Sequence, residues 1–217
     1  MLMTETVRDT AFEDLKAGKA LPDGWQSEIF PQDPAALRLQ MSGAEIFLIA
    51  GFQIVSSEGI EVLTVCTTDR WPDRLPLAEI MDRLQQAGRP AILPWGVGKW
   101  VGRRGKILSD LLAEGVPPGL HLGDNAGRPG FWAEPPLFKQ ARAKGMAVLP
   151  GSDPLPVPDG AQAPGRFGFR LSGSLDIEAP ARDLAARLME LKTQPDSFGQ
   201  RTGSLAFFRQ QIQLRMK

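Results

Sequence analysis

The chain has 217 residues, 42% of them hydrophobic, which is enough to bury a substantial core as a single domain over residues 1–217. Its 25 Lys and Arg balance its 25 Asp and Glu, so there is no global field to hold nucleic acid or an acidic membrane surface, and neither is expected as a partner. One cysteine, one histidine and no tyrosine exclude an internal disulfide, a cysteine zinc cage and any mechanism that needs two imidazoles.

The opening MLMTET reads as the tail of an apolar strand running into a loop, an opening expected of a chain shortened at its N-terminus. It carries no basic leader, and no later apolar segment is long enough to span a bilayer, so a cytoplasmic protein is expected. Ala11 to Ala17 is helix-like, and Leu21 to Pro34, with Pro22, Gly24, Pro31 and Pro34, reads as irregular connection anchored by Trp25. Three strands are predicted next, at Leu37–Met41, Ile46–Val55 and Ile60–Thr67, joined by Ser42-Gly43 and Glu58-Gly59 at hairpin distance. Cys66 lies in the apolar run Val62 to Cys66, which suits a structural thiol.

From Leu77 the period changes. Leu77, Ile80, Met81 and Leu84 fall at helical spacing and Gly88 supplies the stop. Then strands and helices alternate: strand Ala91–Leu93, helix Lys106–Glu114, strand Leu120–Leu122, loop Gly123–Gly130, helix Pro136–Lys144 and strand Met146–Leu149. Such alternation predicts an α/β fold with a mostly parallel sheet or barrel, its site at the C-terminal ends of the strands. A proline-rich connection, Pro154–Pro164, leads to a strand at Arg166–Leu171, an amphipathic helix at Ala179–Leu191, and a closing basic helix at Ser204–Met216.

The stretch AILPWGVGKWVGRRG, Ala91 to Gly105, organises the rest. It joins a buried strand to a helix through Gly96, Gly98, Gly102 and Gly105, interleaved with Lys99, Trp100, Arg103 and Arg104. Glycines let backbone amides approach an anion, and a helix start adds unpaired N–H groups, so a phosphate or carboxylate is stabilised at such a turn. The spacing is GxGxxxG, one residue longer than the dinucleotide fingerprint, and no Walker pattern is present. Two other predicted strand ends are polar: Asp124-Asn125 with Arg128, and Ser152-Asp153. Lys99, Arg103 and Arg104 suit a phosphate or sugar acid, and Trp100 suits a ring face, while Trp95 suits the core. Asp124 and Asn125 also suit a turn around Gly127, Asp153 a turn acceptor, His121 an interior position, and Arg128 and Arg166 an exposed surface.

The order of these loops resembles the PHP family, the polymerase and histidinol phosphatase type of metal-dependent phosphoesterase, over Gly51 to Pro158. Four places carry the likeness: Gly51-Phe52-Gln53-Ile54 with Glu58 to Leu63; Ala91 to Gly96, similar to a strand ending in His-Pro-Gly; Gly119 to Asn125; and Met146 to Asp153, similar to the terminal GSDAH strand. The resemblance implies a distorted or partial TIM-like barrel, here with an antiparallel N-terminal strand meander. It also implies a multi-metal site, from which this chain departs. Gln53 stands at a glutamate position, Pro94 at the histidine, His121 at the next glutamate, Pro154 and Leu155 follow Asp153, and the HxH strand is missing. Gln, Pro and Leu supply no charged or imidazole ligand, so the expected metal content is at most one weakly bound divalent ion through Asp153.

Two functions follow as expectations. The first is a PHP-like phosphoesterase relative that binds a phosphorylated or acidic small molecule through Gln53, Lys99, Trp100, Arg103, Arg104, Asp124, Asn125 and Arg128, with Asp153 as base or ligand. The second is a non-catalytic ligand-binding or assembly protein on a degenerate barrel, with an exposed strand edge available for a homo-oligomer.

Overall fold

A computed structural model describes residues 1–154, 158–203 and 207–209. The chain is α/β, with helices packed around a sheet of eight strands in the order β2-β3-β4-β5-β6-β7-β8, with β1 (Leu2–Glu5) also pairing β4. The sheet is open: β2 and β8 lie at opposite ends of the order, so the barrel expected from the strand-helix alternation does not form among the described residues. Parallel pairing is the minority pattern. β2 (Gln26–Ile29), β3 (Ala36–Met41), β4 (Ala44–Val55) and β5 (Glu61–Val65) run as an antiparallel meander, and β6 (Ala91–Pro94) joins β5 antiparallel at Leu63–Ile92. β7 (Leu120–Asn125) and β8 (Val148–Gly151) are parallel. The alternation rule holds where helices cross over and fails earlier, where tight turns reverse the chain; Met41 pairs with Ala44 across Ser42-Gly43.

The chain packs as two compact units. The first comprises Met1–Ile92, Pro117–Leu120 and Gly173–Leu191. Its core includes Leu37, Leu48, Ile49, Ile54, Val62, Ile80 and Leu188. Helix α1 spans Ala11–Lys16, and α2, Leu77–Gln86, buries all four residues of its periodic face, Leu77, Ile80, Met81 and Leu84. Each such side chain contributes about 1.5–3 kcal/mol when removed from water. The carboxylate of Glu58 accepts the Leu77 N–H, doing for α2 what its Pro76 N-cap cannot. Helix α5 (Pro180–Glu190) is capped across the chain: buried Asp33 accepts the N–H groups of Ala181 at 2.7 Å and Arg182 at 3.3 Å. Strand β2 falls where irregular connection is expected, because an exposed edge strand shows no alternation to read. Strand β1 pairs parallel with β4 along Leu2–Ile49 to Glu5–Phe52. Cys66 is buried at the end of β5 with φ 61°.

The second unit comprises Leu93–Val116, His121–Ser172 and Lys192–Lys217. Its helices α3 (Arg103–Glu114) and α4 (Pro136–Ala143) bury Leu108, Leu112, Phe138 and Ala141, and Met146 and Leu149 complete that core. A 3-10 turn spans Pro158–Gln162, and β9 (Phe167–Phe169) pairs antiparallel with β10 (Ser197–Gly199) in a small separate sheet. The edge strand β8 is closed by a side chain, since the Gln194 amide receives the Val148 N–H at 2.9 Å and donates to the Val148 carbonyl at 2.7 Å. Of the predicted closing helix, 207–209 are helical and the remaining positions lie outside the described residues.

Candidate functional site at the ends of β6, β7 and β8

Strand β6 ends at Pro94, and buried Trp95 keeps the chain beside β7 by donating its N–H to the Gly123 carbonyl at 2.9 Å. The glycine turn follows. Its first reversal is closed by the Lys99 N–H on the Gly96 carbonyl at 3.0 Å, and the Lys99 stem then lies across Gly96. Arg104 Nη2 donates to the Gly98 carbonyl at 2.9 Å, fastening the turn to the helix that succeeds it. Helix α3 begins at Arg103, three residues earlier than the apolar periodicity indicates, so Arg103, Arg104 and Gly105 form its first turn. Gly102, at φ 59°, is the N-cap, with no side-chain cap and no acidic residue in the first turn. The first three amides of the helix thus have no acceptor of their own from the chain's helical ladder, and the first turn itself carries no acid to offset its dipole. Gly105 is required by space, since a Cβ there would come within 2.6 Å of the Trp100 carbonyl oxygen.

Strand β7 runs further than predicted, through Gly123, Asp124 and Asn125, because Asp124 and Asn125 pair with Pro150 and Gly151 of β8. Asp124 is buried and so is Arg128, at 2% exposure. The expectation of a surface arginine at 128 is therefore corrected: its Nε and Nη2 clasp Asp124 at 2.8 and 2.7 Å, and Nη1 donates to the Trp132 carbonyl at 3.3 Å. Asn125 forms the turn expected around Gly127. Its Oδ1 accepts the Gly127 N–H at 2.5 Å, closing the turn, and its Nδ2 donates to Asp153 Oδ2. Asp153 is exposed, at φ 40°, a left-handed conformation in which a side chain is strained. Ser152 Oγ is bound to the Phe167 carbonyl at 3.1 Å.

Two pairs are thus formed at the end of β7, Asn125 with Asp153 and Asp124 with Arg128. Trp100 and Arg128 meet the same ring, Phe138, edge-to-face at 5.6 Å and with the guanidinium 5.8 Å from the centroid. Arg103 is exposed, Arg104 and Lys99 half-buried. Gln53 belongs to β4 of the first unit, opposite Leu63. His121 is buried within β7, as expected of an interior histidine.

Sequence reasoning missed Arg201 and an aromatic cluster. Arg201 Nε lies 3.6 Å from Asp124 Oδ2, placed there by the Thr202 N–H on the Ala126 carbonyl at 2.7 Å. Trp132 meets Trp95 edge-to-face at 5.9 Å and Phe207 at 5.5 Å, while Phe131 stacks on Phe208 at 6.2 Å and 17°. The aromatic letters of Phe131-Trp132 and Phe207-Phe208 were visible; their 75-residue separation hid that they meet.

Among the described residues no group of three or more His, Cys, Asp or Glu side chains could hold a metal ion. Of Gln53, Pro94, His121 and Asp153, the positions likened above to metal ligands, His121 offers an imidazole and Asp153 a carboxylate, and the other two offer no strong metal donor. No described helix is long and apolar enough to cross a membrane. An open groove of about 500 Å³ lies elsewhere, in the first unit, beside Thr4, Glu5 and Asp9, where Glu5 is engaged by Arg70 and Asp9 by Thr6.

No family model matches the chain, and no curated protein matches it. The chain is similar to the crystal structure of PsfC from Pseudomonas syringae PB-5123, with a TM-score of 0.59 and 15% sequence identity, covering all of this chain and 83% of that one. At this identity the likeness shows a shared fold.

Proposed function

We propose that the protein binds a small phosphorylated or acidic molecule at the turn between β6 and α3, and that it does so as a binding protein without multi-metal catalysis. The observation that carries this reading is the start of α3: an uncapped helix whose first turn holds Arg103 and Arg104 and no acid, reached through Gly98 and Gly102 at positive φ. Backbone donors and the dipole favour an anion there, and the two guanidiniums supply its counter-charge. Lys99, on the same turn, adds a third cation. The test is thermal denaturation with ribose 5-phosphate, inorganic phosphate and ribose. A rise in Tm with both anions and none with ribose supports the reading; no rise with either anion refutes it.

A second reading is favoured by the Asn125–Asp153 pair, which holds a strained carboxylate at the strand ends. It is a PHP-like phosphoesterase relative in which Asp153 acts as base. Hydrolysis of p-nitrophenyl phosphate that disappears in Asp153→Asn supports this reading, and equal turnover by the variant removes it.

A further inference from the structure

Phe131 and Phe208 are 53% and 56% exposed yet stacked on each other at 17°, and both meet Phe207, which in turn meets Trp132. Ring faces left in water by a cluster that could have buried them mark a contact surface, particularly when rimmed by charge. The rim here is cationic. Arg209 is exposed beside Phe208, and Arg201, also exposed, lies 3.6 Å from Asp124, whose single carboxylate is shared between Arg201 and buried Arg128. The cluster is also continuous with the glycine turn, because Trp95, which meets Trp132, is the residue before Gly96. Aromatic faces take a planar ring, and a cationic surround takes an anion.

We infer that the Phe131–Phe208 pair is a stacking platform for a planar ring, so that the ligand of this unit is a phosphate carried by a nucleoside-like molecule. The inference rests on the anion-binding reading of the β6–α3 turn and narrows its substrate class. An inorganic phosphate or a sugar phosphate would use the arginines and leave the ring faces unused, whereas a nucleoside monophosphate uses both.

The experiment titrates the full chain with AMP, ribose 5-phosphate and adenosine, following tryptophan fluorescence and calorimetric heat, and repeats each with Phe131→Ala and Phe208→Ala. Both rings are exposed, so neither change empties a core. The expected result is AMP binding about tenfold tighter than ribose 5-phosphate, the magnitude of one base-aromatic stack, with that advantage lost in either variant and ribose 5-phosphate unaffected. Equal affinities for AMP and ribose 5-phosphate, unchanged by the variants, overturn the platform and leave anion binding standing. Binding of none of the three overturns both.

Discussion

Arg128 clasps Asp124 through two parallel hydrogen bonds of 2.8 and 2.7 Å, with both side chains buried at the end of β7. Together with the bond from Arg128 Nη1 to the Trp132 carbonyl, that relationship ties the two ends of the 124–132 turn to each other. Asp124→Ala leaves a buried guanidinium uncompensated and is expected to cost about 3–5 kcal/mol. The double variant Asp124→Leu with Arg128→Met is expected to recover most of that loss. Urea unfolding of the three proteins checks this; a single-variant loss under about 1 kcal/mol would show that the pair is solvated.

Gln194 imitates a neighbouring strand for β8. Gln194→Ala strands the N–H and carbonyl of Val148, itself buried, and is expected to lower stability by about 1–3 kcal/mol. It also opens a strand edge, so the variant should elute with dimers or larger species in size-exclusion chromatography while the parent does not change. Retention of both stability and elution position would mean the amide bonds are dispensable.

Asp33 and α5 are 148 residues apart in sequence and joined by two backbone-to-carboxylate bonds. Asp33→Ala is expected to cost about 1–2 kcal/mol through loss of the cap, and Asp33→Asn, which keeps an acceptor oxygen, less than half of that. Hydrogen exchange at the Ala181 and Arg182 amides reports the site directly, and protection that survives in Asp33→Ala would refute the cap.

Burial pushes the Cys66 thiol up to about 12, from 9.0 ordinarily. The native state therefore holds its thiol proton more tightly than the unfolded chain does. The resulting contribution to stability is intact below pH 9 and is lost as the pH rises towards 12. Stability should decline over that window in the parent and decline less in Cys66→Ala. Ellman's reagent at pH 8 should leave the folded thiol unmodified; rapid reaction would place Cys66 at the surface.

The elements most legible in the sequence were those whose side chains carry the pattern. The four apolar residues of α2 announced a buried helical face, and the β3-β4-β5 meander followed from its two glycine turns. Strand order was not legible, because pairing is a non-local choice. Nothing in the letters Leu63 and Ile92 says that β5 and β6 run antiparallel, and that pairing, with the open order of the sheet, replaced the expected barrel. At the site, the glycine turn and the convergence of Asn125 with Asp153 were readable from strand ends. The burial of Arg128 was not, since an arginine after Asn-Ala-Gly has the composition of a surface turn until its carboxylate partner is known. Arg201 was hidden for a similar reason, its position being set by one backbone bond from Thr202 to Ala126.

Calorimetric titration of ribose 5-phosphate into the parent and into Arg103→Ala/Arg104→Ala tests most directly whether the start of α3 binds an anion. Measurable affinity in the parent that weakens with added salt is expected, with a loss of about tenfold or more in the double variant and the fold intact by circular dichroism. Equal affinity in the two proteins would contradict that expectation and move the ligand away from this turn.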